Sequence, residues 1–253
     1  MAEHSAITWT DATFNPWWGC FKISPGCKHC YADAFDHRLG GEHWGQDAPR
    51  RFFGDKHWNE PLKWNAAAMA AGIRRRVFCS SMSDVFEARR DLDPHRERLW
   101  KLIDATIGGL DWLLLTKRPE NFGMLPTAPP NVWRGVTVEN ADYLDRVRWL
   151  QATVAPVRFI SYEPALGPIA DKVDLTDINW IVCGDESGQV RRPAEVQWFA
   201  DLRDKCEAAG VAFHFKQWAG AADQRIGGKS TGGKIHLPVL DGRVHAAFPE
   251  VSS

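Results

Sequence analysis

Residues 113–120 read LLLTKRPE, a short apolar run that breaks at once into Thr116, Lys117 and Arg118. A continuous apolar run of this length fits a strand buried on both faces, as parallel sheets require. Working outward, the same figure recurs along the chain. Val77 to Cys79 runs into Ser80, Ser81, Met82, Ser83 and Asp84, and Val132 to Val138 into Glu139 and Asn140. Val157 to Ile160 runs into Ser161, Tyr162 and Glu163, and Ile178 to Cys183 into Gly184, Asp185, Glu186 and Ser187. Val211 to Phe215 is a further apolar run. Helical patterns lie between several of these. Asp93 and Pro94 make a cap and first turn, Leu99, Leu102, Ile103 and Ile107 form one face, and Gly108-Gly109 ends it. Ala141 to Thr153 carries Leu144, Val147 and Leu150; Pro193 to Ala209 carries Val196, Phe199, Leu202 and Cys206 before Gly210. The connections after Lys117 and Pro164 read as short helices or loops.

Strand and helix alternating about six times predicts parallel strands with right-handed crossovers. A doubly wound sheet and a barrel both fit that order. The polar cluster closing nearly every strand favours the barrel, whose C-terminal rim carries its site. Taken singly, each cluster also fits a helix cap or turn. The expected fold class is α/β, a partial (β/α)6 TIM-like barrel with parallel strands, in one domain over 1–253. Residues 1–75 would supply the first strand, a ligand-bearing loop and a covering segment with one helix around Pro61 to Ala71. Residues 76–218 would hold the strand–helix repeats, and 219–253 a Gly-rich loop and C-terminal tail. Gly228-Lys229-Ser230 in that loop fails as a phosphate-binding motif, which needs glycine where Asp223 stands.

Composition bounds the function classes. Of 253 residues, 44% are hydrophobic and 25% charged, enough for a sizeable core and too apolar for wholesale disorder. Lysine plus arginine is 31 and aspartate plus glutamate 32, a net charge of -1 that excludes a histone-like mode of nucleic-acid binding but leaves room for a local basic patch. No apolar run is long enough to span a membrane. The opening MAEHSAITWTDATFNPWWGC lacks a basic segment followed by an apolar one, so a cytoplasmic location is expected. Six cysteines should then be reduced, which favours metal or redox chemistry over disulfides.

Cys20, Cys27 and Cys30 lie in GCFKISPGCKHCYA, a C-x6-C-x2-C spacing with Pro25 and Gly26 to bend the chain. Three thiolates leave tetrahedral zinc one ligand short, to be completed by His29, His37 or His43, and leave a cubane [4Fe–4S] cluster with one iron free of protein. Three reduced cysteines without a metal are the third reading. Cys79 and Cys206 fall within apolar patterns and read as small buried hydrophobes, as does Cys183 at its strand end. Trp17, Trp18, Trp44, Trp58 and Trp64 with Arg50-Arg51 and Arg74-Arg75-Arg76 fit either a stacking and phosphate-binding surface for nucleic acid or a solvated arginine face over an aromatic core.

GC-x6-C-x2-CYA, SMSDVF, LLLTKRPE, GVTVEN, ISYEPALGPI, GDESG and FKQW, in this order from Ile7 to about Pro249, resemble the phage-associated three-cysteine-motif family, which is similar to radical S-adenosylmethionine enzymes. The first cysteine gap is six residues where that superfamily commonly has three, and Tyr31 follows the last cysteine where an aromatic usually precedes it. The resemblance implies a cluster-binding loop in which Cys20, Cys27 and Cys30 hold a [4Fe–4S] cluster whose fourth iron binds S-adenosylmethionine. By strand-end position it implies Ser81, Ser83 and Lys117 for the methionyl carboxylate, and Asp84, Glu139 and Asn140 for the ammonium and ribose. Glu163, Glu186 and Arg118 would line the space for a nucleotide or nucleic-acid substrate, with Cys183 as a candidate thiol hydrogen donor. Radical chemistry would also require an electron donor. The alternative is a non-enzymatic, metal-stabilised nucleic-acid-binding or adaptor protein; a barrel hydrolase or lyase with catalytic zinc is the third function.

Overall fold

The computed structural model describes residues 2–125, 129–187, 190–218 and 238–251. In chain order the elements are β1 (Ala12–Phe14), β2 (Trp17–Trp18), α1 (Tyr31–Arg38), β3 (Arg51–Phe52), α2 (Asp55–Trp58), α3 (Glu60–Ala70), β4 (Arg75–Cys79) and α4 (Asp93–Ala105). There follow β5 (Leu110–Thr116), β6 (Val132–Thr137), α5 (Asp145–Gln151), β7 (Arg158–Tyr162), β8 (Trp180–Gly184), α6 (Val196–Ala209), β9 (Ala212–Gln217), β10 (Val239–Leu240) and β11 (Arg243–Val244). Seven strands make one sheet in the order β1-β4-β5-β6-β7-β8-β9, and β1–β4, β4–β5, β7–β8 and β8–β9 pair in parallel. A doubly wound sheet reverses its order at a switch point; this one never does. The chain thus has the α/β class and strand succession of a partial barrel, with β1 as its first strand. The Gly-rich loop and its Gly228-Lys229-Ser230 lie outside the described residues. No helix among the described residues is long and apolar enough to cross a membrane.

The chain falls into two compact units, whose boundary runs through β6. The first is built on Thr10–Arg134. Its strands are buried because their residues are apolar on both faces: every side chain of β1 is buried, and all but one of β5. Phe14 meets Trp112 edge-on at 5.6 Å, and the Trp112 indole N–H donates to Thr106 Oγ1 at 2.9 Å, so the ring packs without orphaning its polar atom. α4 buries Leu99, Leu102 and Ile103. Asp93 is its first residue and not its cap, which is Leu92, and Ile107 lies beyond the helix, exposed. The chain before β4 holds three helices where the sequence pattern indicated one. α1 and α2 escape periodicity analysis because each is short and buries few apolar residues.

The second unit is built on Gly135–Thr153 and the described residues from Val157 onward, with Ala6–Trp9. Trp9 packs against Phe159 and Trp180 at 6.2 and 6.1 Å. The segment expected as one helix over Ala141 to Thr153 is a 3-10 turn over Ala141–Tyr143, capped by the Asn140 side chain, and then the shorter α5. α6 starts at Val196, itself exposed, and ends at Gly210, whose φ of 68° is the left-handed conformation that terminates helices. Residues 245–247 bond to β9 through Phe215 N–H to His245 O at 2.9 Å and Ala247 N–H to Phe213 O at 3.2 Å.

Gly135 has no room for a side chain: an added Cβ would lie 2.3 Å from the Phe159 ring. Gly135→Ala is therefore expected to cost about 1–3 kcal/mol by overpacking. Gly123→Ala, with nothing within 4 Å of its added Cβ, should cost less than about 0.5 kcal/mol. Urea denaturation of both variants checks the difference.

Candidate metal centre

The cysteine loop lies in the first unit and is tied down at both ends to the turn that follows β4. Gly19 N–H donates to Met82 O at 3.0 Å, and the Tyr31 hydroxyl donates to Ser81 O at 2.7 Å. Asn15, directly after β1, completes the junction: its Oδ1 accepts from Met82 N–H at 2.7 Å and its amide donates to Ser81 Oγ at 3.1 Å. Gly19 is demanded twice over, by a φ of +111° and by His43 O standing 2.3 Å from where a Cβ would be. Ser80 turns the chain out of β4 with φ at 73°, an uncommon conformation for a residue with a side chain and the kind of strain that collects at functional sites. Ser83 Oγ is buried and meets no hydrogen-bond partner among the described residues.

A second layer holds the loop from outside. Gly45 N–H donates to Cys20 O at 2.9 Å. The buried Arg50 fixes this segment by donating to His43 O, Gly45 O and Ala48 O at 2.9, 3.0 and 2.8 Å, while its charge is met by the buried carboxylate of Glu87. Asp36 binds the His43 ring Nδ1 at 2.9 Å and accepts its backbone N–H at 3.1 Å. None of Glu87, Asp36 or Asn15 stood out in the sequence: Glu87 and Asn15 work through partners dozens of residues away, and Asp36 through His43, seven residues on across an irregular turn.

The cysteines divide into two sets. Cys79, Cys183 and Cys206 are buried, whereas Cys20, Cys27 and Cys30 are half-buried, and all six are free thiols. Burial pushes the Cys20 thiol up to about 12 despite the neighbouring Arg118. Burial also raises Cys30, against backbone N–H groups of Asp33 and Ala32 and the charge of Lys117. At Cys27 burial is outweighed by the Lys117 charge and by hydrogen bonds from Ile23 and Ser24, which leave the thiol below its ordinary value. Among the described residues no three His, Cys, Asp or Glu side chains stand close enough to hold one metal ion. No such group joins the cysteines to His29, His37 or His43 among the described residues. A cubane asks for something else: each thiolate binds a different iron, so its sulfurs stand wider apart than the ligands of one ion. Three partly accessible thiols on one bent loop, faced by two cations, are a donor set of the right chemistry for such a cluster.

The other expected site residues fall at strand ends, but nearly all are engaged. Asp84 accepts from Thr116 Oγ1 at 2.8 Å and pairs with Arg118 at 2.9 Å. Arg118 is 4% exposed, and its Nη1 reaches Cys20 Sγ at 3.5 Å. The charge of Lys117 lowers the Cys27 and Cys30 thiols. In the second unit Glu139 is buried against Arg146 at 2.7 Å, and Asn140 caps its 3-10 turn from Asp142 N–H at 3.0 Å. Glu163 pairs with Lys216 at 2.9 Å and accepts from Ser161 Oγ at 3.3 Å. Glu186 pairs with Arg192 and accepts its backbone N–H at 2.8 Å. The aromatic and basic surface is smaller than expected. Trp17, Trp58 and Trp64 are core residues, and Arg74, Arg75 and Arg76 are met by Asp111, Glu3 and Asp11. Trp18 and Trp44 are half-buried, and the Arg51 guanidinium lies 4.8 Å from the Trp18 ring centroid.

Two outcomes test this geometry. Glu87→Gln leaves the sealed Arg50 charge unpaired and should cost about 3–5 kcal/mol in urea denaturation. In metal-free native protein, alkylation followed by mass spectrometry should mark Cys27 at the lowest pH, since a lowered thiol pKa means thiolate is present sooner, with Cys20 requiring alkaline conditions. Cys79, Cys183 and Cys206 should react only after unfolding; Cys206 reacting as fast as Cys27 would contradict the division.

No curated protein and no solved structure matches the chain. Its family is nonetheless shown by a match over residues 4–249: the chain belongs to the family described as protein of unknown function (DUF5131).

Proposed function

We propose that the protein is an iron–sulfur enzyme of radical S-adenosylmethionine type, acting on a nucleotide or nucleic acid in modification or repair. The observation that carries this reading is the set of three half-buried thiols on one loop, facing Lys117 and Arg118, while the other three cysteines are sealed in the core. Cys20, Cys27 and Cys30 would hold the cluster. When bound, such a cluster would supply one electron to the sulfonium of S-adenosylmethionine. The chain's own part is to orient and shield. Ser83, whose buried hydroxyl lacks a partner among the described residues, and Ser81 beside it are suited to the carboxylate of a bound S-adenosylmethionine. The junction of Asn15, Gly19 and Tyr31 with the turn after β4 keeps these hydroxyls and the cysteine loop in fixed register. The phage association implied by the sequence resemblance is what favours a nucleotide or nucleic acid as substrate.

One observation favours the alternative, a metal-stabilised nucleic-acid-binding or adaptor protein. Glu139, Glu163 and Glu186 are each met by a cation, as a purely structural rim would be.

Anaerobic loading with iron and sulfide separates the two. The enzyme reading expects brown protein with about four irons per chain, colour lost in Cys27→Ala and kept in Cys206→Ala, and 5′-deoxyadenosine on reduction with S-adenosylmethionine. A fully loaded protein that yields none supports the metal-stabilised binding or adaptor protein. Stoichiometric zinc without colour ends the cluster reading.

A further inference from the structure

Arg118 was expected to line a substrate space, yet its N–H groups are committed elsewhere. Nη1 donates to Asp84 Oδ2 at 2.9 Å and reaches Cys20 Sγ at 3.5 Å; Nη2 donates to Phe21 O at 2.8 Å. Its guanidinium carbon stands 4.4 Å from the centroid of the Phe21 ring. Asp84 is itself held, by the Thr116 hydroxyl at 2.8 and 2.9 Å and by Phe86 N–H at 3.0 Å, so the guanidinium has no slack to swing away. Cys27 has a different neighbour, the Ser24 hydroxyl at 3.6 Å.

We propose that Arg118 is a positioning residue of the cysteine centre, fixing Cys20 through its Nη1–H and raising the reduction potential of a cluster held there. The inference rests on the reading of Cys20, Cys27 and Cys30 as cluster ligands. Its physics is direct. Three thiolates bring three negative charges to the centre, and reduction adds one more. A fixed cation with an N–H aimed at a ligand sulfur stabilises the more negative state more than the less negative one. A guanidinium suits this role because its planar fork can serve a carboxylate, a carbonyl and a sulfur at once, and it stays charged at every working pH. Lys117 adds charge near Cys27 and Cys30.

The test is a dye-mediated redox titration of reconstituted protein, read by the spin signal of the reduced cluster, for wild type, Arg118→Met, Arg118→Lys and Arg118→Gln at matched iron content. At the wild-type midpoint, Arg118→Met should show a reduced-to-oxidised ratio lower by several-fold and at most about tenfold, because only the part of the charge-assisted hydrogen bond that differs between the two oxidation states is lost. Arg118→Lys, which keeps the charge, should fall less, and Arg118→Gln should lie between Lys and Met. Should Arg118→Met fail to load, the Lys and Gln variants carry the comparison. Loaded variants that titrate with wild type overturn the role of Arg118 and leave the cluster reading standing. Wild-type protein that takes up no iron overturns both.

Discussion

A guanidinium sealed from water is strongly unfavourable unless its charge is met and its N–H groups find acceptors. In the first unit Arg118 satisfies that condition by drawing on three separate stretches of chain. Asp84 comes from the turn after β4, Arg118 itself from the end of β5, and Cys20 and Phe21 from the loop beyond β2. The ion pair and its hydrogen bonds add to the junction of Asn15, Gly19 and Tyr31 with the turn after β4, and together these hold the cysteine loop against the sheet.

Arg50 repeats the device one layer out. Its carboxylate partner Glu87 lies in the chain after β4, and its N–H groups bind the backbone of the segment that covers Cys20. Buried pairs of this kind add little net stability, but they penalise every arrangement in which a partner is missing. They therefore specify a loop conformation more than they strengthen it. A loop that presents three thiols in one geometry needs specification of that kind.

Charge in this chain is arranged pair by pair. The net charge of -1 conceals sealed or half-sealed pairs at Asp84, Glu87, Glu139, Glu163 and Glu186, each with a cation of its own. Acidic residues that close strands in a sequence are thus ambiguous, since a residue type at a strand end does not reveal whether its charge is spent on a neighbour. The same holds for the tryptophans. Trp17, Trp58 and Trp64 look identical in sequence to Trp18, yet only the last keeps part of its face in reach of solvent.

Sequence alone determined the α/β class, the sheet strands from Val77 to Phe215, the helices of Asp93 and Val196, and the division of the cysteines into loop and core sets. All of these rest on local order: short apolar runs, 3.6-residue periodicity and thiols close together in the chain. It did not reveal α1, α2, the break in the Ala141 segment or the left-handed Ser80, where side-chain apolarity is weak and neighbours in space decide the backbone. Tertiary structure alone decided that Arg118 turns to Cys20 and that Arg50 locks to Glu87. Such pairings join residues far apart in the chain, and only burial makes them obligatory, because water would otherwise satisfy each charge by itself.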